Sequence, residues 1–434
     1  MALGQSDPAI GSERRDWDSS QDAFVLTGST ANAAYEVGIM KRLLSGTWGK
    51  ANHPPINPYC FAGTSVGALN AAVMVANADL EVEEALGRLE SIWLDRIAVP
   101  SATSSTGVFR IRGDFTQYFN SDLAKNPFRP FLDIGSDFLY FTRETLQRLA
   151  YASSTRGTFA DRAAQISEFT QWIDYSPLRQ LVKEHIDTKK IAAASNPKRL
   201  RITAINWRDG TPRIFDNKDL GSTDGHESII AAMCLPGVFP PETVDGLPYV
   251  DSSVLFETPL KPAIQARNRE SKIPVVLHVV YADSSFRDIP LPSLSNTFAT
   301  VYRLYQLALS RAVNTDIQRA HTVNERIRVK NLFESVVAAA EDPVKSREDI
   351  IRAKLGEDAV PFWEQLHRDL FDRVSLTIHR HTPKEHIFGF ELVQFEKSTI
   401  QKLIQHGYEA ARDHDCEESR CIIPQENTPP LYSS

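Results

Sequence analysis

Short apolar runs and helical stripes alternate along most of this chain. Ala23-Phe24-Val25-Leu26 is the first run; it stops at Thr27-Gly28 and predicts a buried strand. Tyr35, Ile39, Leu43 and Leu44 then recur at helical spacing. Tyr59-Cys60-Phe61-Ala62 predicts a second buried strand, and Gly63-Thr64-Ser65-Val66-Gly67 turns it into a helix rich in Ala and Leu. An acidic helix is expected over 80–96. Arg201 to Trp207 reads as a strand, and Arg208-Asp209-Gly210 offers a hairpin turn into Pro212 to Asp216. Pro274 to Ala282 is another buried strand, followed by a Ser/Pro-rich link over 283–296. The remainder is mainly helical, over 297–325, 343–355 and 396–414, with one strand at Arg373 to Ile378. Strands alternating with helices predict an α/β fold whose largely parallel central sheet is covered on both faces.

Residues 1–21 are polar and are expected to be disordered, and 416–434 read as a polar tail. Between them, 97–170 is the least regular stretch, with a Ser/Thr-rich loop, Pro127, Pro130 and the cluster Phe138-Leu139-Tyr140-Phe141. It reads either as a lid or substrate-facing insertion, or as loops and helices that simply pack.

Composition narrows the function classes. With 434 residues, 42% apolar and 24% charged, the chain is of ordinary globular make-up and can bury a large core. The formal charge of −7 argues against a nucleic-acid footprint and against general attraction to anionic membranes. The N-terminus carries acids and lacks the apolar core of a signal peptide, and no apolar run reaches the length of a membrane span. Contact with lipid would then be peripheral. Of the four cysteines, Cys60 and Cys234 sit in apolar contexts and read as small buried residues. Cys416 and Cys421 show no paired Cys or His at zinc-site spacing, so no metal site is expected. A reduced, cytoplasmic setting fits this usage.

Gly63-Thr64-Ser65-Val66-Gly67 has the form of a nucleophile elbow. A serine on a cramped strand-to-helix turn needs small neighbours, and its hydroxyl then stands above the sheet at the positive end of a helix. The backbone N–H of Val66 is placed to stabilise an oxyanion. Such a serine needs a base. None of the eleven histidines stands out: His278 lies inside a buried strand, His226 in a polar loop, and the rest on helices and tails. A carboxylate acting directly on the serine is the alternative. Its best candidate is Asp251, where the short strand Leu247-Pro248-Tyr249-Val250 ends and the chain turns. Burial there would raise its proton affinity, as a base working near neutrality requires. Taken alone, Asp251 also reads as a turn residue.

Three segments, in order, resemble the patatin-like phospholipase family. Leu26-Thr27-Gly28-Ser29-Thr30-Ala31-Asn32-Ala33-Ala34-Tyr35-Glu36-Val37-Gly38-Ile39 is similar to its glycine-rich oxyanion loop and following helix. Gly63 to Ala71 is similar to its nucleophile block. Ile229 to Pro241, then Asp245-Gly246 and Tyr249-Val250-Asp251, resemble the block that leads to its catalytic aspartate. The resemblance implies a three-layer α/β/α patatin-like catalytic domain over 22–415, with 297–415 as its mainly helical C-terminal part. It implies a Ser65–Asp251 dyad without histidine, an acyl-enzyme intermediate and an oxyanion hole drawn from Gly28, Ser29, Thr30 and Val66. The reaction implied is hydrolysis of lipid acyl esters without metal or other cofactor. Acyl transfer through the same acyl-enzyme, and a catalytically silent lipid- or protein-binding member, are the alternative readings.

Two departures stand out. Where the family has a run of glycines followed by a basic residue and another glycine, this chain has Gly28, Ser29, Thr30, Ala31, Asn32 and Ala33. A β-branched threonine resists positive φ, which points to a loop of different shape; an Asn32 side-chain donor is a second expectation. The other departure is Asp251-Ser252-Ser253, where the family has Asp-Gly-Gly or Asp-Gly-Ala.

Overall fold

Strand β1 (Asp22–Leu26) fixes the layering. Successive side chains of a strand point to opposite faces, and both faces of β1 are covered. Phe24 and Leu26 join one apolar cluster with Ile39, Leu69 and Trp93. Ala23 and Val25 join a second with Cys60, Leu260 and Ile317. A strand buried on both sides has no polar face to show, hence the unbroken apolar run. The computed structural model describes residues 22–99, 106–112, 134–135, 137–143, 173–254, 259–267, 275–282, 297–340, 345–370, 373–383 and 395–424. The expectations for 1–21, for 283–296 and for most of 97–170 lie outside the described residues.

After β2 (Cys60–Gly63), a separate ribbon pairs β3 (Arg110–Ile111) with β4 (Ile173–Asp174). The other strands are β5 (Arg199–Asn206), β6 (Pro212–Asp216), β7 (Glu242–Val244), β8 (Leu247–Asp251), β9 (Val275–Val280) and β10 (Leu376–His381). The central sheet runs β10-β9-β1-β2-β5-β8-β7, with β6 also on β5. Strands β10, β9, β1, β2 and β5 are parallel, whereas β5–β6, β5–β8 and β7–β8 pair antiparallel. The three-layer α/β/α architecture with a mostly parallel sheet is therefore as expected.

One detail of register positions the site. Arg201 of β5 lies between Ala62 of β2 and Asp216 of β6, and Ala204 lies between Asp251 of β8 and Arg213 of β6. Strands β2 and β8 thus use the same edge of β5, end to end. The last β2 partner is Ile202 (to Gly63) and the first β8 partner is Ala204 (to Asp251), so only Thr203 separates them.

Helices α1 (Ala34–Ser45), α2 (Val66–Ala76) and α3 (Val82–Ser91) follow the predicted stripes, and α3 continues as a wider turn over Ile92–Ile97. The C-terminal helix Lys397–Arg412 lies on α1 with backbones in contact. A Cβ on Gly38 would stand 1.9 Å from the Ile404 carbonyl oxygen, and one on Gly407 would stand 2.1 Å from that of Tyr35. The long helix Thr297–Ala339 outruns the expected 297–325, and Ala359–Asp369 was not anticipated. Strand β10 starts at Leu376, three residues later than its apolar pattern suggests, and ends on His381. Residues 416–424 do not leave as a polar tail: Ile422 pairs with Ile378 of β10 through backbone bonds of 2.8 and 2.9 Å.

Candidate active site

Close approach explains the small residues of the elbow. A Cβ on Gly63 would lie 2.4 Å from the Gly67 carbonyl oxygen, and one on Gly67 would lie 2.4 Å from that of Leu26. Between them Ser65 is held at φ 53° and ψ −139°, a backbone state that costs on the order of 1–3 kcal/mol and persists only where its surroundings impose it. Ser65 is 7% exposed and immediately precedes α2. The N–H of Val66, at the positive end of that eleven-residue helix, has no acceptor among the described residues.

The loop after β1 lies directly on this turn. A Cβ on Gly28 would come within 2.9 Å of Ser65 Cβ and of the Val66 nitrogen. Gly28, Ser29 and Thr30 all have positive φ, at 74°, 120° and 48°. The resistance expected of a β-branched threonine is overcome here: Ser29 and Thr30 take positive φ, a backbone that glycine adopts without strain. Tertiary contacts enforce it. The Thr27 hydroxyl donates to the Val280 carbonyl at 3.1 Å, Asn32 N–H donates to the Ser29 carbonyl at 3.0 Å, and the chain passes through a 3₁₀ turn, Thr30–Ala33, straight into α1.

Not every expected oxyanion donor is available. The N–H of Gly28 donates to Glu36 Oε1 at 2.8 Å, so Gly28 shapes the loop and its amide is already committed. The N–H groups of Ser29 and Thr30 have no acceptor among the described residues. Thr30 Oγ1 and Asn32 Oδ1 are buried without a hydrogen-bond partner there, which leaves polar capacity in the loop for a substrate.

Glu36 was missed by sequence reasoning, because a Glu in the first turn of a helix is ordinarily a solvated end-charge. Here it is fully buried. Its Oε2 accepts from Asn70 Nδ2 at 2.8 Å, and Asn70 Oδ1 accepts from Trp93 Nε1 at 2.8 Å. Burial pushes the Glu36 carboxyl up to about 8, against the opposing pull of donors from Asn70, Gly28 and Thr27. The chain Trp93–Asn70–Glu36–Gly28 ties the loop after β1 to α2 and to the turn that extends α3.

Asp251 ends β8 and is fully buried. Its Oδ1 accepts the N–H of Ser253 at 2.8 Å and the Ser253 hydroxyl at 2.7 Å. Oδ2 has no hydrogen bond of normal geometry among the described residues. Burial raises the proton affinity of the carboxyl, while the Ser253 N–H, the Ser65 hydroxyl and the Ser253 hydroxyl lower it. Ser65 thus lies near enough to the carboxylate to favour its ionised form, while no hydrogen bond of normal geometry reaches Oδ2 among the described residues.

The second departure also acquires a reason. The Ser252 hydroxyl lies 2.8 Å from Thr64 Oγ1 and 2.9 Å from Thr203 Oγ1, and it donates to the Thr203 carbonyl at 3.1 Å. It fastens the residue before Ser65 to the one β5 residue that separates β2 from β8. Hydroxyl bonds hold this turn where a glycine would have supplied only freedom.

No histidine is hydrogen-bonded to Ser65 or Asp251 among the described residues. His278 is buried and meets Asp22 Oδ1 at 3.1 Å, and His226 Nε2 faces the Ile186 carbonyl at 2.9 Å. Cys60 and Cys234 are free and buried, as expected. The expectation that Cys416 and Cys421 lack a histidine partner is corrected: with His379 and His414 they form a cluster whose ligand atoms all lie within 4.8 Å of one another. Among the described residues no helix is long and apolar enough to cross a membrane.

A family model described as patatin-like phospholipase matches residues 24–264, more than half of the chain. The crystal structure of VipD from Legionella pneumophila matches over 90% of this chain and 66% of that one, at 10% identity and a TM-score of 0.35. No curated protein matches the sequence. With its elbow, its loop and its aspartate block all inside the matched span, the chain belongs to the patatin-like phospholipase family, a family of lipid acyl hydrolases.

Proposed function

We propose that the protein hydrolyses acyl esters of lipids through a Ser65–Asp251 dyad and an acyl-enzyme. The observation that carries this reading is the end-to-end meeting of β2 and β8 on one edge of β5, which presents Ser65 to a buried carboxylate with one uncommitted oxygen. Asp251 takes the hydroxyl proton as Ser65 Oγ attacks the acyl carbonyl. The developing oxyanion is received by the N–H groups of Val66, Ser29 and Thr30. Collapse expels the alcohol, which leaves with the proton from Asp251. A water then gives its proton to Asp251 and attacks the acyl-serine; the fatty acid departs and Ser65 recovers its proton.

The dyad needs Asp251 ionised before attack, and its surroundings are graded for that. Burial raises its proton affinity, and the hydrogen bonds from Ser253 and Ser65 oppose that rise. Lipid substrates imply peripheral contact with a membrane surface, which co-sedimentation with phospholipid vesicles tests directly.

The decisive experiment is fatty-acid release from mixed phospholipid vesicles, read by mass spectrometry, for the wild type, Ser65→Ala and Asp251→Asn. Release that both substitutions abolish supports the proposal and identifies the acyl chain and head group. Release that persists in Ser65→Ala overturns it. Loss of substrate acyl groups without free fatty acid would point to transfer to another acceptor.

A further inference from the structure

Far along the chain from the elbow, four side chains converge that no step of hydrolysis uses. We propose that His379, His414, Cys416 and Cys421 form a structural zinc site that pins the C-terminal turn to strand β10. The ligand atoms are His379 Nδ1, His414 Nε2 and the two Sγ atoms, all within 4.8 Å of one another. His379 Nδ1 lies 3.5 Å from Cys416 Sγ, and His414 Nε2 lies 3.7 Å from Cys416 Sγ and 3.4 Å from Cys421 Sγ. A tetrahedral zinc with Zn–S of about 2.3 Å and Zn–N of about 2.0–2.1 Å requires N···S edges of about 3.5–3.6 Å. The three separations bracket that value, and with every pair within 4.8 Å the four side chains need only small shifts to close a tetrahedron.

The surrounding backbone is built to hold them there. Asp415 Oδ1 accepts the N–H groups of Glu417 and Glu418 at 2.9 and 3.0 Å, Arg420 turns the chain at φ 53°, and Cys421 N–H donates to the Cys416 carbonyl at 2.9 Å. The two sulfurs are thereby presented from one tight turn. Outer contacts are in place as well. The Arg380 N–H points at Cys421 Sγ at 3.4 Å, and the second nitrogen of His414 lies 3.4 Å from Ser419 Oγ. Such partners orient thiolate and imidazole ligands. Trp48 closes one side, with its ring centre 5.0 Å from that of His379 and 5.8 Å from that of His414.

Two thiolates with two imidazoles select zinc among the common divalent ions, and four protein ligands leave no open position, so the site is structural rather than catalytic. Binding replaces the two thiol protons, which leave to solvent, and two thiolates with two neutral imidazoles leave the centre uncharged. The site ties the segment after the C-terminal helix to the edge of the sheet. That helix lies on α1, which carries Glu36.

The test uses the full chain purified without chelators. Elemental analysis is expected to find one zinc per chain. Replacement by Co²⁺ is expected to give the visible bands of a tetrahedral ion together with thiolate-to-metal absorption in the near ultraviolet. Cys416→Ser with Cys421→Ser is expected to lose the metal, whereas Cys60→Ala retains it. A wild-type chain that binds neither zinc nor Co²⁺ overturns the proposal. So does a Cys416–Cys421 disulfide, seen as two missing thiols that return on reduction alone. Because the wild-type measurements need no variant and no substrate, they stand whatever the outcome for hydrolysis.

Discussion

Replacing Glu36 by Gln removes a buried ionisable group while keeping its bulk, and the structure fixes what should follow. Folded, the carboxyl holds its proton up to about 8; unfolded, it is expected to release it near 4.5. Between those values the unfolded chain binds fewer protons than the folded one, so stability falls as pH rises. The contribution is complete below the lower value and gone above the upper. At about 1.4 kcal/mol per pH unit, that interval corresponds to on the order of 5 kcal/mol. Gln does not titrate and lacks this slope. It carries a fixed handicap instead, because its amide nitrogen faces Asn70 Nδ2, a donor against a donor, at a cost of about 1–3 kcal/mol. Asp251, also raised by burial, adds a slope of the same sign to both proteins and cancels in the difference. Urea unfolding of wild type and Glu36→Gln should therefore show the variant weaker near pH 5 and the stronger of the two by about pH 9. A gap that stays constant across the range would refute the buried, proton-holding carboxyl.

Four further outcomes are expected. Ser253→Ala removes one of the bonds that favour ionised Asp251, so the acid limb of the pH–rate profile should move to higher pH with folding intact; an unmoved limb counts against Asp251 as base. Thr30→Gly suits φ 48° and should stay within about 1 kcal/mol of wild-type stability with turnover retained. Thr30→Pro cannot adopt that angle and deletes a proposed oxyanion donor, so kcat should fall on the order of 100- to 1000-fold, as measured on vesicles. Gly38→Ala drives a methyl into the Ile404 carbonyl and should cost at least about 3 kcal/mol, seen as a lower urea midpoint.

How much of this was legible in the sequence depends on the distance over which each feature is decided. The elbow is local: strand, small residues and helix lie within Tyr59–Ala72, so Ser65 could be read directly. Asp251 was legible only as the end of a short strand, because its partner on β5 lies over forty residues earlier. The loop misled for a physical reason. Propensity says that Thr30 avoids positive φ, but the Thr27 bond to Val280 and the fixed start of α1 outweigh a strain of about 1–3 kcal/mol. Glu36 was invisible because only the packing of α1 against α2 and α3 turns a surface-type residue into a buried one. The cluster around Cys416 failed by spacing, since His379 enters from a strand laid alongside by the sheet.

The shared edge of β5 has a consequence for how freely the rest of the molecule can vary. Neither β2 nor β8 pairs with the other; each is referenced only to β5, with Thr203 as the gap between them. The chain leaves after α2, wanders for more than a hundred residues, and returns at Arg199 to resume the same frame. Loop-closure entropy grows only with the logarithm of length. Added length in that excursion, outside the buried residues that pack on the core, therefore leaves unchanged the register that relates Ser65 to Asp251.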